Sequence, residues 1–268
     1  MSLPAEDDKK WFDDFMKRRS AEKRPPVTAD EKRLLAGFYG YRGRQEIDAL
    51  CGVSAFALRN FDLDYKWKAF LCEHIGEEAE HGIHYIKAAD ALNPEENHWL
   101  ESPEWEGTYG TWRRWIFPVG ERGMPGFIMG LLMQVEGYGG LCAPIHQAWD
   151  APEVISWRIN HQMAEEEDHE RFIVTAVRKL INDCGADERR NLMATIRMYE
   201  QDLMRNGYLA DERLHCDLFI HRLGASKDQY GPPLRWRRNR LWREWFGAEP
   251  PPAIWPAWFA KEGINPDA

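Results

Sequence analysis

The chain has 268 residues, 44% of them hydrophobic and 29% charged, and 44 acidic against 35 basic side chains give a formal net charge of −9. That length can bury a sizeable core without staples, and the acidity argues against general nucleic-acid binding. No stretch approaches the roughly 18 uninterrupted apolar residues of a membrane span, and no membrane partner is expected.

Residues 1–27 are charged and end in Arg24-Pro25-Pro26, which reads as an N-terminal arm without the basic start and apolar run of a signal peptide; a cytoplasmic protein is the expectation. Thr28-Ala-Asp-Glu31 has capping-box spacing and opens a helix over about Asp30 to Ala57. A second helix is predicted from about Asp62 to Leu92, stopped by Asn93-Pro94. Residues 93–124 are irregular, carry Tyr109, Trp112, Trp115 and Phe117, and read as a long crossover connection. A third helix, about Pro125 to Trp149, contains Gly130, Gly137, Gly139, Gly140 and Pro144 and is expected to bend. Asp150-Ala-Pro-Glu153 predicts a fourth helix with Asp150 as N-cap, running to about Asp183, and two shorter helices follow at about 187–206 and 210–223.

From Ser226 the composition changes. Arg235, Arg237, Arg238, Arg240 and Arg243 alternate with Trp236, Trp242, Trp245 and Phe246, and Pro250-Pro251-Pro252 follows. This tail could dock an acidic partner or a CoA phosphate; tryptophans this dense favour wrapping the bundle or lining a homodimer contact. No strand-period segment is convincing, so the fold class is all-α, divided into an arm (1–27), a helical domain (28–225) and a tail (226–268). The five cysteines, Cys51, Cys72, Cys142, Cys184 and Cys216, show no metal or redox spacing and read as buried, reduced thiols.

One long-period repeat carries chemistry. Glu78-Ala-Glu-His81 and Glu166-Glu-Asp-His169 each present Glu-x-x-His. On the second helix, steps of four and three give Trp67, Leu71, His74, Glu78, His81, Tyr85, Ala88 and Leu92; on the fourth they give Ile155, Ile159, Gln162, Glu166, His169, Ile173, Ala176 and Leu180. Both Glu/His pairs thus fall on the line facing a bundle core. A buried carboxylate without a partner loses several kcal/mol of solvation, so a positive group belongs between these helices, and a metal ion suits Glu oxygen and His nitrogen. The preceding helices add Glu46 and Glu136, 32 and 30 residues before Glu78 and Glu166. Four helices then supply four carboxylates and two imidazoles, a ligand set for two metal ions: Glu46, Glu78, His81, Glu136, Glu166 and His169.

With these residues the chain resembles the ferritin-like di-iron carboxylate proteins over about residues 30–183. Gln45-Glu46-Ile47 and Glu77-Glu78-Ala79-Glu80-His81-Gly82 look most like the phenylacetyl-CoA epoxidase (phenylacetic acid catabolic) group of oxygenases, with Glu80 where that group has glycine. The resemblance implies a ferritin-like four-helix bundle with extra C-terminal helices. Glu46 and His81 would serve one iron, Glu136 and His169 the other, and Glu78 and Glu166 would bridge as the catalytic carboxylates. In related oxygenases an acidic residue at the place of Glu77 and Glu165 accepts a hydrogen bond from a metal-bound imidazole; the alternative is that both are surface acids. His74 and Gln162 read as hydrogen-bonded core polar groups or as supports of the ligands, His84 as structural, and His146 and His161 as outer residues.

The activity implied is that of an O2-dependent non-haem di-iron monooxygenase, an oxidoreductase that hydroxylates or epoxidises a small, partly apolar organic substrate, a CoA thioester being one form. Fe/Fe and Mn/Fe share these donors. The chain has no flavin, haem or iron–sulfur motif, so a separate reductase or ferredoxin is implied as electron donor. A ferroxidase and a non-catalytic subunit of an oxygenase complex are the alternatives.

Overall fold

The computed structural model describes residues 24–26, 28–100, 123–128, 149–206, 213–227 and 231–265, with isolated positions before residue 24. It is helical, with no strand among the described residues. The elements are α1 (Ala29–Gln45), α2 (Cys51–Asn60), α3 (Tyr65–Leu92), α4 (Gly123–Phe127), α5 (Pro152–Trp157), α6 (Met163–Asp183), α7 (Ala186–Asn206), α8 (Gly231–Arg240) and α9 (Ala257–Glu262). Wide π-helical turns occupy Glu46–Leu50, Arg158–Gln162, Asp217–Arg222 and Leu241–Trp245. Most of the expected arm, the aromatic part of the crossover and the third helix beyond residue 128, with Glu136, Gly140 and His146, lie outside the described residues. None of the helices described is long and apolar enough to cross a membrane. The chain divides into two compact units: residues 25–127 with 150–169, and residues 1–24 with 128–149 and 170–268.

In the first unit, Thr28 caps α1 as its spacing predicts: its hydroxyl accepts from the Glu31 amide and Glu31 accepts from the Thr28 amide, both at 3.1 Å. The expected helix to Ala57 is interrupted by the π-turn that Glu46 opens. Asp64 caps α3, accepting from the Trp67 amide at 2.9 Å, and Asn93 ends it. α1 and α3 meet backbone to backbone. A Cβ on Gly43 would lie 2.5 Å from the Gly82 carbonyl, and one on Gly82 would lie 2.6 Å from that of Gly43. Only glycine permits this approach, and it sets Glu46, one turn beyond Gly43, beside His81, the neighbour of Gly82. Leu35, Phe38, Tyr39, Val53, Ala57, Leu71, Tyr85 and Ile86 fill the core around the contact.

The start of the expected fourth helix corrects two expectations. Its N-cap is Ala151, with no side-chain cap. Asp150 turns inward instead, accepting from the Tyr39 hydroxyl at 2.6 Å and pairing with Arg158 at 3.4 Å. A buried phenol and guanidinium outcompete the helix amides for that carboxylate. The second correction concerns register: Ile159 is exposed and Ile155 half-buried, whereas Val154 and Arg158 are buried. The π-turn inserts one residue between this stretch and Glu166, so the buried line upstream moves back by one position.

In the second unit the C-terminal tail packs within its own core. Trp242, Trp245 and Phe246 are buried, and Arg240 reaches Glu170 and Glu244. Arg178 donates to the Glu244 carbonyl at 2.8 Å. The cysteines described are free thiols, but only Cys216 is fully buried and Cys72 is exposed, because Cys72 lies beside rather than on the buried line of α3.

Candidate metal centre

α3 presents His74, Glu78 and His81 on one buried face, spaced by four and three residues, and α6 presents Glu166 and His169. The apolar residues of the same lines sink these groups: His74, Glu78, His81 and His169 are all at most 3% exposed. Glu166 and the two flanking acids Glu77 and Glu165 are partly open, at 38%, 27% and 32%.

Glu78 is central. Its Oε2 lies 3.1 Å from His81 Nδ1, and its Oε1 lies 3.5 Å from both His74 Nε2 and His169 Nδ1. Glu166 approaches His81 Nδ1 at 3.9 Å and His169 Nδ1 at 3.8 Å. Glu78 Oε1 is buried and accepts no hydrogen bond. Among the described residues two groups could each hold a metal ion, His74 with Glu78 and His169, and Glu78 with His81 and Glu166. Each keeps its ligating atoms within 4.8 Å of one another, and Glu78 belongs to both.

The outward ring nitrogens make the short contacts. His81 Nε2 donates to Glu165 at 2.8 Å, and His169 Nε2 donates to Glu77 at 2.7 Å. The pairing is crossed: the acid on α3 holds the imidazole of α6, and the acid on α6 holds that of α3. A proton fixed on each Nε2 leaves each Nδ1 for the interior, the arrangement a metal-binding imidazole requires. Phe70 stands edge-on to His169 and Trp157 edge-on to His81, at 5.9 and 5.6 Å between ring centres, and both screen the imidazoles from water.

The charges are those of a site that attracts a cation. Burial by itself lowers the His81 pKa, but the Glu78 hydrogen bond and the charges of Glu78, Glu166 and Glu46 outweigh it and hold the value at about 10. Burial pushes Glu46 up to about 7 against the pull of Arg42. Arg42 pairs with Glu46 at 2.9 Å, and Glu46, though buried beside Glu78 and His81, belongs to neither three-residue group. Gln162 donates to Glu166 at 3.2 Å and accepts from Tyr85 and Arg158 at 3.1 Å each, which ties the half-open carboxylate to a buried polar chain.

Of the residues singled out in the sequence, Glu78, His81, Glu166 and His169 come together with Glu77 and Glu165 around them. Glu46 is adjacent, and Glu136 lies outside the described residues. His84 stacks on Trp157 at 4.1 Å, and His161 is exposed. His74, which the sequence suggests as a core polar group or a support of the ligands, stands among the residues that could hold an ion. Its signal was present: it stands four residues before Glu78 on the same line, one turn beyond Leu71. Comparison of the chain with protein-family models, with curated proteins and with solved structures finds no match.

Proposed function

We propose that the protein is an O2-dependent non-haem di-iron monooxygenase, a hydroxylase or epoxidase of a small, partly apolar organic substrate such as a CoA thioester. We assign its helices to a ferritin-like four-helix bundle. The observation that supports this most directly is the sharing of buried Glu78 between two histidine–carboxylate groups. Neighbouring ions joined through carboxylates are the arrangement that carries O2-dependent oxidation when iron is bound.

The donors fit such a pair. Glu78, with one oxygen towards each group, would bridge; Glu166, 38% exposed and bonded to Gln162, would be the second bridging carboxylate. Glu77 and Glu165 orient the imidazoles, and Glu46, paired with Arg42 and buried beside His81, would add a further carboxylate. Phe70 and Trp157 keep water from the imidazoles. Electrons would come from a separate reductase or ferredoxin.

The test supplies the iron-loaded full-length protein with a reductant, 18O2 and a panel of aryl and alkyl CoA thioesters and free acids. Substrate-dependent appearance of label in an organic product is expected. Growth of iron mineral with no labelled product would replace this reading by a ferroxidase.

A further inference from the structure

The three imidazoles around Glu78 are not distributed evenly. His74 Nε2 and His169 Nδ1 share Glu78 Oε1, while His81 Nδ1 faces Glu78 Oε2 and Glu166. His74 has an outward support of its own: Ser54 Oγ, buried on α2, lies 3.1 Å from His74 Nδ1. With the hydroxyl accepting from Nδ1–H, Nε2 faces the gap beside Glu78, as the Nδ1 atoms of the other two rings do, that of His81 within 3.1 Å of Glu78 Oε2. The inward separations suit ligands of one ion. Bonds of ~2.1 Å at a tetrahedral angle place two donor atoms about 3.4 Å apart, and His74 Nε2 and His169 Nδ1 each stand 3.5 Å from Glu78 Oε1. An exchanged proton would draw such pairs to about 2.8 Å, the distance seen instead on the outward nitrogens.

We infer that His74 is a ligand and that the two cation positions are chemically unequal. Among the described residues one is nitrogen-rich, built from His74, His169 and Glu78, and the other is oxygen-rich, built from His81, Glu78 and Glu166. This rests on reading the cluster as a two-metal centre. Imidazole favours borderline ions such as Fe2+ and Co2+, whereas carboxylate also suits the harder Mn2+. The nitrogen-rich position therefore fills first with Fe2+ or Co2+, and Mn2+ competes effectively only for the oxygen-rich one. Ser54 acts as a positioning residue for the first.

The experiment titrates metal-free full-length protein with Co2+ under anaerobic conditions, following heat and the visible ligand-field bands. Two ions per chain in two resolved steps are expected, with Mn2+ displacing only the weaker. His74→Ala should lose the tighter step and its bands and keep the weaker step within a few-fold. Ser54→Ala, a small change that leaves the ring in place, should weaken the tighter step about 10-fold or more and spare the other. Two equal steps in the unsubstituted protein, or both steps unchanged in the two variants, would overturn the inequality while leaving a two-metal centre intact. No Co2+ bound by the unsubstituted protein would overturn the metal centre itself, and this inference with it.

Discussion

Two buried glutamates show how this chain treats a charge it has removed from water. Glu200, in the unit that contains the tail, is 3% exposed and fully matched: Arg238 grips it with two nitrogens at 2.6 and 3.1 Å, and the Trp242 indole donates to it at 2.8 Å. Glu78, in the other unit, is 1% exposed and, among the described residues, forms its ion pairs with imidazoles, one of its oxygens accepting no hydrogen bond. A guanidinium is a permanent cation and closes the account of a carboxylate structurally. Imidazoles carry a proton or a metal, so the second arrangement can exchange its positive charge. The difference separates a packing device from a candidate binding site, although both glutamates are helical and buried.

The comparison breaks most completely at Glu78. Glu78→Ala should reduce bound metal from two ions per chain to none by elemental analysis of iron-loaded protein, and Glu166→Ala should abolish the oxygen-rich position and the turnover measured with 18O2. Retention of full metal and activity in either would end the bridging assignment. The opposite pattern is expected at the matched carboxylate: Arg238→Ala should cost about 3–5 kcal/mol in denaturant unfolding, because it strands a buried charge, and leave metal stoichiometry unchanged.

Gly82→Ala sharpens the geometric half of the contrast. Alanine is the better helix former by ~1 kcal/mol, yet its Cβ would meet Ile47 at 2.5 Å and the Gly43 carbonyl at 2.6 Å. A net loss of about 1–3 kcal/mol is expected in thermal unfolding; a gain would show that the helices do not touch there. Glu165→Gln, which removes the charge holding His81, should weaken the oxygen-rich position about 10–100-fold in a metal titration, with the nitrogen-rich one unaffected.

The smallest effect is the pH dependence of the metal-free protein. The folded pKa of His81 is raised from 6.5 to about 10, so the stability it contributes is complete below pH 6.5 and drains as pH rises through 10. Glu46, raised from 4.5 to about 7, acts in the same direction at lower pH. Denaturation midpoints in chelator should therefore fall between pH 6 and 10, and bound metal, which replaces the proton on His81 Nδ1, should flatten that slope.

Much of the centre was legible beforehand because it is written in helical period. The line Leu71, His74, Glu78, His81, Tyr85 is buried as its spacing requires, and Thr28 and Glu31 form their box as local chemistry dictates. The fourth helix was misread where the period changed: a wide turn at Arg158–Gln162 moves the buried line from Ile155 and Ile159 to Val154 and Arg158, and a uniform 3.6-residue repeat cannot signal such an inserted residue.

By itself, then, the sequence determined which side chains share a helical face and that a carboxylate and an imidazole would be buried together, since burial follows periodicity. Tertiary structure alone decided who meets whom. It crossed Glu77 to His169 and Glu165 to His81, brought Ser54 to His74, and withdrew Asp150 from its cap to Tyr39 and Arg158. These are contacts between residues far apart in the chain or against local preference, fixed by how separate helices pack against one another, and no spacing along one helix encodes that.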